Sequence, residues 1–170
     1  MPDVDFRYPL LGALAIALLV AAYTDIRRRQ IDNWLTGAIA ATAPLFWWAS
    51  DLAVWTDIAM QIGVALLTFA LMAGLFALRA MGGGDVKLLT ALALWVKPVW
   101  FLQLLVVMAL TGGVLTLILG SWHVARRGTG QQRERLAIPY GVAIASAGLW
   151  VLVVQYLPGF YHSSASGAPG

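Results

Sequence analysis

Long apolar runs alternate with short polar ones along this chain. The apolar runs are Tyr8 to Tyr23, Trp34 to about Ala49, Ile58 to Leu78, Val86 to Val96, Pro98 or Val99 to Leu119, and about Ile138 to Tyr156. Most of the charges sit in the breaks between them. Apolar blocks of this length, without strict alternation, predict helices that cross a bilayer. The expected fold is therefore an all-α, polytopic membrane bundle of six transmembrane helices. It forms a single domain over residues 1–157, and the small, polar residues 158–170 are expected to be a disordered tail. Asp32 or Asn33 is the expected N-cap of the second helix, and Pro44 is placed to kink it. Ser50 to Asp57 and Gly120 to Leu136 read as loops. The fourth run is short for a span, at roughly half to two-thirds of a ~30 Å hydrocarbon core. Either it continues past Lys97-Pro98 with a kink, or it starts below the membrane surface and holds Asp85 at membrane depth. Irregular backbone is tolerated there only in protein or beside water.

Composition supports this class. The chain is 61% hydrophobic and 11% charged, against about 45–50% and about 25% for soluble domains. It has no cysteine, which removes disulfides, thiolate zinc sites and a cysteine nucleophile. His123 and His162 are isolated and belong to no HExxH pattern, so no metal site and no cofactor are expected. Residues Met1 to Arg7 lack the basic start of a signal peptide. The net charge of +3 reads as arginine-rich loops facing the cytoplasm rather than as a nucleic-acid surface. With six spans, Arg27, Arg28, Arg29, Arg79, Lys87, Arg126, Arg127, Arg133 and Arg135 share one side, and only Arg7 and Lys97 share the other. The positive-inside rule makes the first side cytoplasmic. Asp25 and Asp85 then lie on that same side.

Those two carboxylates are the candidate chemistry. Ionisable groups beside or within a membrane are costly to keep, so each one suggests function. Asp85 follows three glycines, Gly82 to Gly84, which free the backbone to bend or to approach another element. Two carboxylates that share a site resist ionising together and hold one proton between them. Such a pair suits peptide hydrolysis: one member takes a proton from water while the other polarises the scissile carbonyl. Ordinary structural roles compete with this reading. Asp25 is spaced for an i,i+4 ion pair with Arg29, Asp85 for a helix cap, and Gly82–Lys87 for a flexible loop. Arg27 to Arg29 serve as a topology signal.

The motifs carry a resemblance. Gly82-Gly83-Gly84-Asp85 is similar to the GxGD motif of intramembrane aspartic proteases. With Val86-Lys87-Leu88-Leu89, it resembles the GxGDxKL block of type IV prepilin peptidases. Asp25-Ile26-Arg27-Arg28-Arg29-Gln30-Ile31, with Asn33, resembles that family's DxRxRxIPN motif. Ile138-Pro139-Tyr140-Gly141 is similar to a third block near the last helix. The resemblance implies a membrane-embedded aspartic endopeptidase with Asp25 and Asp85 catalytic and no cofactor. Gly82, Gly84, Lys87, Arg27, Arg29, Asn33, Pro139, Tyr140 and Gly141 would be its supporting motif residues. It also implies a bacterial inner-membrane location and, as substrate, a type IV prepilin or pseudopilin whose short basic leader is cut at the cytoplasmic face. Asp32 departs from the family pattern, in which proline is usual. The chain also lacks the cysteine-bearing loop associated with N-methylation. It therefore resembles the short form found in tight-adherence (Flp) pilus systems, and methyltransferase activity is not expected. Two other classes fit less of the sequence. A presenilin-type protease usually has a YD pair where this chain has Thr24-Asp25. A small ion-coupled transporter or channel would use Asp25 and Asp85 to bind a cation or relay protons. The expected partners are the substrate and the bilayer, with no nucleic acid.

Overall fold

The computed structural model describes the backbone of residues 6–126 and 140–166. Among these residues the chain is all-α. Its six helices are α1 (Arg7–Arg28), α2 (Asn33–Ala49), α3 (Ala59–Ala77), α4 (Gly83–Ala93), α5 (Pro98–Arg126) and α6 (Tyr140–Ser166). Three segments are long and apolar enough to cross a membrane: Arg7–Arg28, Val54–Ala77 and Pro98–Ile118.

Several boundaries differ from those the apolar runs suggest. Helix α1 continues through Thr24–Arg28 because its backbone ladder does not stop where apolar side chains stop. The hydroxyl of Thr24 donates back to the Ala21 carbonyl at 3.0 Å. The helix closes at Arg29, whose φ of 52° is left-handed and whose amide donates to the Asp25 carbonyl at 2.8 Å. Asp25 is thus a residue of the helix itself. Val54–Ile58, most of it expected as loop, is a π-helical turn that leads into α3. Pro44 lies inside α2. Helix α5 runs on through Gly120–Arg126, into the stretch read as a loop. The helical backbone of α6 continues past Pro158 to Ser166, into the stretch expected as a disordered tail. Residues 127–139, which include Arg127, Arg133, Glu134, Arg135, Ile138 and Pro139, lie outside the described residues, as do Asp3 and Asp5.

Helix α4 is the centre of the bundle. It starts at Gly83, earlier than expected, with Gly82 as an extended N-cap (φ −75°, ψ 145°). Gly83 and Gly84 are therefore helical, and the flexible-loop reading of this stretch is replaced. Eleven residues span only ~16 Å, and the helix stops in a turn before Pro98 instead of continuing with a kink. Leu88, Leu89, Leu92 and Ala93 are almost fully buried, between α2, α3 and α6. A helix that ends inside a bundle must satisfy its terminal carbonyls without water. Here Trp47 Nε1 donates to the Leu94 carbonyl at 2.7 Å. The Tyr156 hydroxyl donates to the Trp95 carbonyl at 3.4 Å. Trp95 Nε1 in turn donates to the Ile39 carbonyl at 2.8 Å, tying this turn to α2. Phe46 stacks on Trp95 with ring centroids 4.9 Å apart.

Outward-facing positions are apolar as well. Leu66, Leu67 and Phe69 on α3 and Val106, Leu110 and Leu117 on α5 are exposed. Such a surface suits hydrocarbon, and the exposed Trp48 and Trp55 suit an interfacial belt.

Candidate active site

At one end of the bundle, three elements close around an open cavity of about 350 Å³. Asp25 projects from the end of α1. Arg29–Asn33, the strap from α1 to α2, forms one rim. Gly82–Asp85, the start of α4, forms the other. Asp25 and Asp85 are both largely buried, at 7% and 8% exposure. They are close enough for the charge on Asp25 to act on Asp85. The fold thus brings together two carboxylates that are far apart in the chain.

Each carboxylate is seated differently. Asp25 faces the backbone amides of Gly141 and Val142 at the start of α6, where the helix dipole favours negative charge. A Cβ at residue 141 would lie 2.7 Å from Asp25 Oδ2, so only glycine lets α6 come this close. Oδ2 itself, packed against Gly141, is a buried acceptor with no hydrogen-bond partner among the described residues. The guanidinium of Arg29 acts on Asp25 through its charge, but no Asp25–Arg29 ion pair within 4 Å forms among the described residues. The pair that does form is Arg28–Asp32, at 3.2 Å.

Asp85 is the third residue of α4 and faces the amide of Gly82, the residue that caps the helix. The expected capping role is therefore met in part, from inside the first turn. A Cβ on Gly82 would lie 2.9 Å from Asp85 Oδ2, and one on Gly84 would lie 3.1 Å from the Ile31 side chain. A Cβ on Gly83 would meet only Phe76, at 3.4 Å. Two of the three glycines thus answer a close approach, and the middle one has room to give.

The other motif residues divide between those at the site and those away from it. Lys87 Nζ donates to Asn33 Oδ1 at 2.8 Å, fastening the strap to α4. Tyr140 is half-buried and its ring lies beside Gly112. Arg27 is turned away: its Nε donates to the Tyr23 hydroxyl at 3.1 Å, and its guanidinium lies 5.6 Å from the centre of that ring. Asp32 lines the cavity. Its main chain caps α2, with the Thr36 amide donating to its carbonyl at 3.3 Å, while its carboxylate pairs with Arg28. Sequence reasoning missed that pair, although its i,i+4 spacing was readable. It also missed the Lys87–Asn33 bond, for which sequence offers no local signal. No group of His, Cys, Asp or Glu able to hold a metal ion occurs among the described residues.

A model of the type IV leader peptidase family matches residues 12–117. That range takes in Asp25, the strap, the glycines and Asp85, and it ends before α6. No curated protein and no solved structure matches the chain.

Proposed function

The chain belongs to the type IV leader peptidase family, and from that premise we propose that it is a membrane-embedded aspartic endopeptidase with Asp25 and Asp85 as its catalytic pair. One observation carries the proposal: the carboxylates of α1 and α4 line the same open cavity, near enough to feel each other's charge. Repulsion between them favours a state with one proton shared by two groups. A water held between them loses a proton to the ionised carboxylate as its oxygen attacks the scissile carbonyl carbon. The protonated carboxyl hydrogen-bonds to the carbonyl oxygen and stabilises the charge that develops there. Collapse of the tetrahedral intermediate passes a proton to the leaving nitrogen, breaks the C–N bond and yields a carboxylic acid and an amine. The amides at the start of α6 favour negative charge on Asp25. That assigns it the general-base role and Asp85 the acid.

The substrate follows from the family and from charge. It is a type IV prepilin or pseudopilin, and the product is the chain freed of its short basic leader. The cavity opens at the bundle end that carries Arg28, Arg29, Arg79 and Lys87, which the positive-inside rule assigns to the cytoplasm. Cutting there requires the leader to remain cytoplasmic while the apolar segment that follows it lies in the bilayer. Co-expression with candidate prepilins, read as a mobility shift on leader removal, tests the reading. Processing by the native chain but not by Asp25→Asn or Asp85→Asn is the expected result. Ion flux from reconstituted protein without any cleavage would return the pair to a transport role.

A further inference from the structure

At the end of the bundle opposite the aspartates is a second cavity, of about 190 Å³, lined by Arg7, Ser50, Gln61, Lys97, Gln155 and Tyr156 among others. Four buried side-chain atoms lack a hydrogen-bond partner among the described residues, and three of them line this cavity: Ser50 Oγ, Gln61 Oε1 and Gln155 Oε1. Gln61 is only 3% exposed, so its unpaired acceptor is costly unless something donates to it. Arg7 and Lys97 are also the two bases that break the charge asymmetry of the chain, and both converge on this one cavity. Beside it is a groove of about 490 Å³ walled by Leu52, Met60, Pro98, Val99 and Trp100, and the two spaces share Leu52, Gln61 and Lys97. Asp57 also lines the groove, and its carboxylate accepts the Ala53 amide at 3.3 Å.

Buried water would answer the unpaired acceptors alone. It would not account for Lys97, which lines both spaces, nor for an apolar trough running from the same chamber. An amphipathic anion answers all three features. We propose that this end of the bundle binds one anionic phospholipid with a hydroxyl-bearing headgroup, of the phosphatidylglycerol type. Its phosphate sits by Lys97, its headgroup hydroxyls donate to Gln61 and Gln155, and one acyl chain lies along Leu52, Met60 and Val99. The site makes no use of Asp25 or Asp85, so it stands or falls apart from the peptidase reading.

The test is native mass spectrometry of the full chain in mild detergent, titrated separately with phosphatidylglycerol, phosphatidylcholine and glycerol phosphate. The expected result is one retained phosphatidylglycerol, bound about tenfold more tightly than phosphatidylcholine, as suits one hydrogen bond to a charged group. Glycerol phosphate, which has no acyl chain, should bind more weakly still. Lys97→Gln and Gln61→Leu should each weaken phosphatidylglycerol retention by about tenfold. Equal retention of the two lipids would overturn the proposal. So would glycerol phosphate binding as tightly as the lipid, or wild-type retention by both variants. If either variant fails to fold, the comparison of the three probes on the native chain decides the matter alone.

Discussion

At the scale of single residues, the proposed pair makes the firmest demands. Asn keeps the size of Asp but cannot exchange the proton, so Asp25→Asn and Asp85→Asn should each abolish cleavage while the protein reaches the membrane at normal levels. Because the two groups work as a unit, the double variant should be little worse than either single one. The rate should follow a bell-shaped pH curve whose two apparent ionisations belong to the pair. Assay of membranes containing equal amounts of each variant decides this, and substantial cleavage by either single variant would refute the pair. Gly141 offers a subtler test. A Cβ there would lie 2.7 Å from Asp25 Oδ2, whereas one on Gly113 meets nothing within 4 Å. Gly141→Ala should therefore displace Asp25 and lower kcat on the order of 100-fold, the usual cost of a small misplacement. Gly113→Ala should leave cleavage unchanged. The two aspartates were legible in the sequence because charge is rare in so apolar a chain. Gly141 stood out only through its resemblance to a family block. Its contact with Asp25 was illegible, since nothing local in either segment announces the other.

At the scale of elements, apolar runs located all six helices but not their ends. The runs mark where side chains meet apolar surroundings, whereas a helix ends where its backbone ladder is broken. Thr24–Arg28 is polar and still helical because Arg29 supplies the left-handed stop. Gly83 and Gly84 are poor helix formers, yet both are helical, and at Gly84 the approach of Ile31 leaves little space for a Cβ. Context overrides propensity at both places. The buried end of α4 is the part least readable beforehand, since its indole donors come from Trp47 on α2 and from Trp95 itself reaching to Ile39. Trp47→Phe keeps most of the apolar bulk and leaves the Leu94 carbonyl without that donor. It should cost about 1–3 kcal/mol of stability, seen as a lower midpoint on thermal unfolding in detergent. The strap is held by a weaker fastening. Lys87→Met removes the 2.8 Å bond to Asn33 and should lower activity by about tenfold, with a net stability loss near 1 kcal/mol. Activity that falls only in step with stability would make Lys87 a structural residue alone.

At the scale of the whole molecule, the two ends of the bundle differ in kind. One holds an acidic cavity rimmed by the Arg29–Asn33 strap, and the other holds a polar chamber beside an apolar groove. The short, buried α4 separates them. Its first turn carries Asp85 and its last turn leads to Lys97, so the distance between the two sites is set by half a membrane span of helix. This architecture makes sidedness testable in a chain that lacks cysteine. Ala53 precedes the π-helical turn at the groove end, and Ala80 lies just before the glycines at the cavity end. Both are exposed. Single Ala53→Cys and Ala80→Cys substitutions introduce one thiol each at little steric cost. If the basic end faces the cytoplasm, a membrane-impermeant thiol reagent applied to intact spheroplasts should label Ala53→Cys at once. Ala80→Cys should be labelled only after the membrane is permeabilised. A basic leader would then meet Asp25 and Asp85 without crossing the bilayer, as the proposed cleavage requires. The reverse labelling pattern would place the aspartates on the outer side and remove the leader from their reach, whatever the chemistry of the pair.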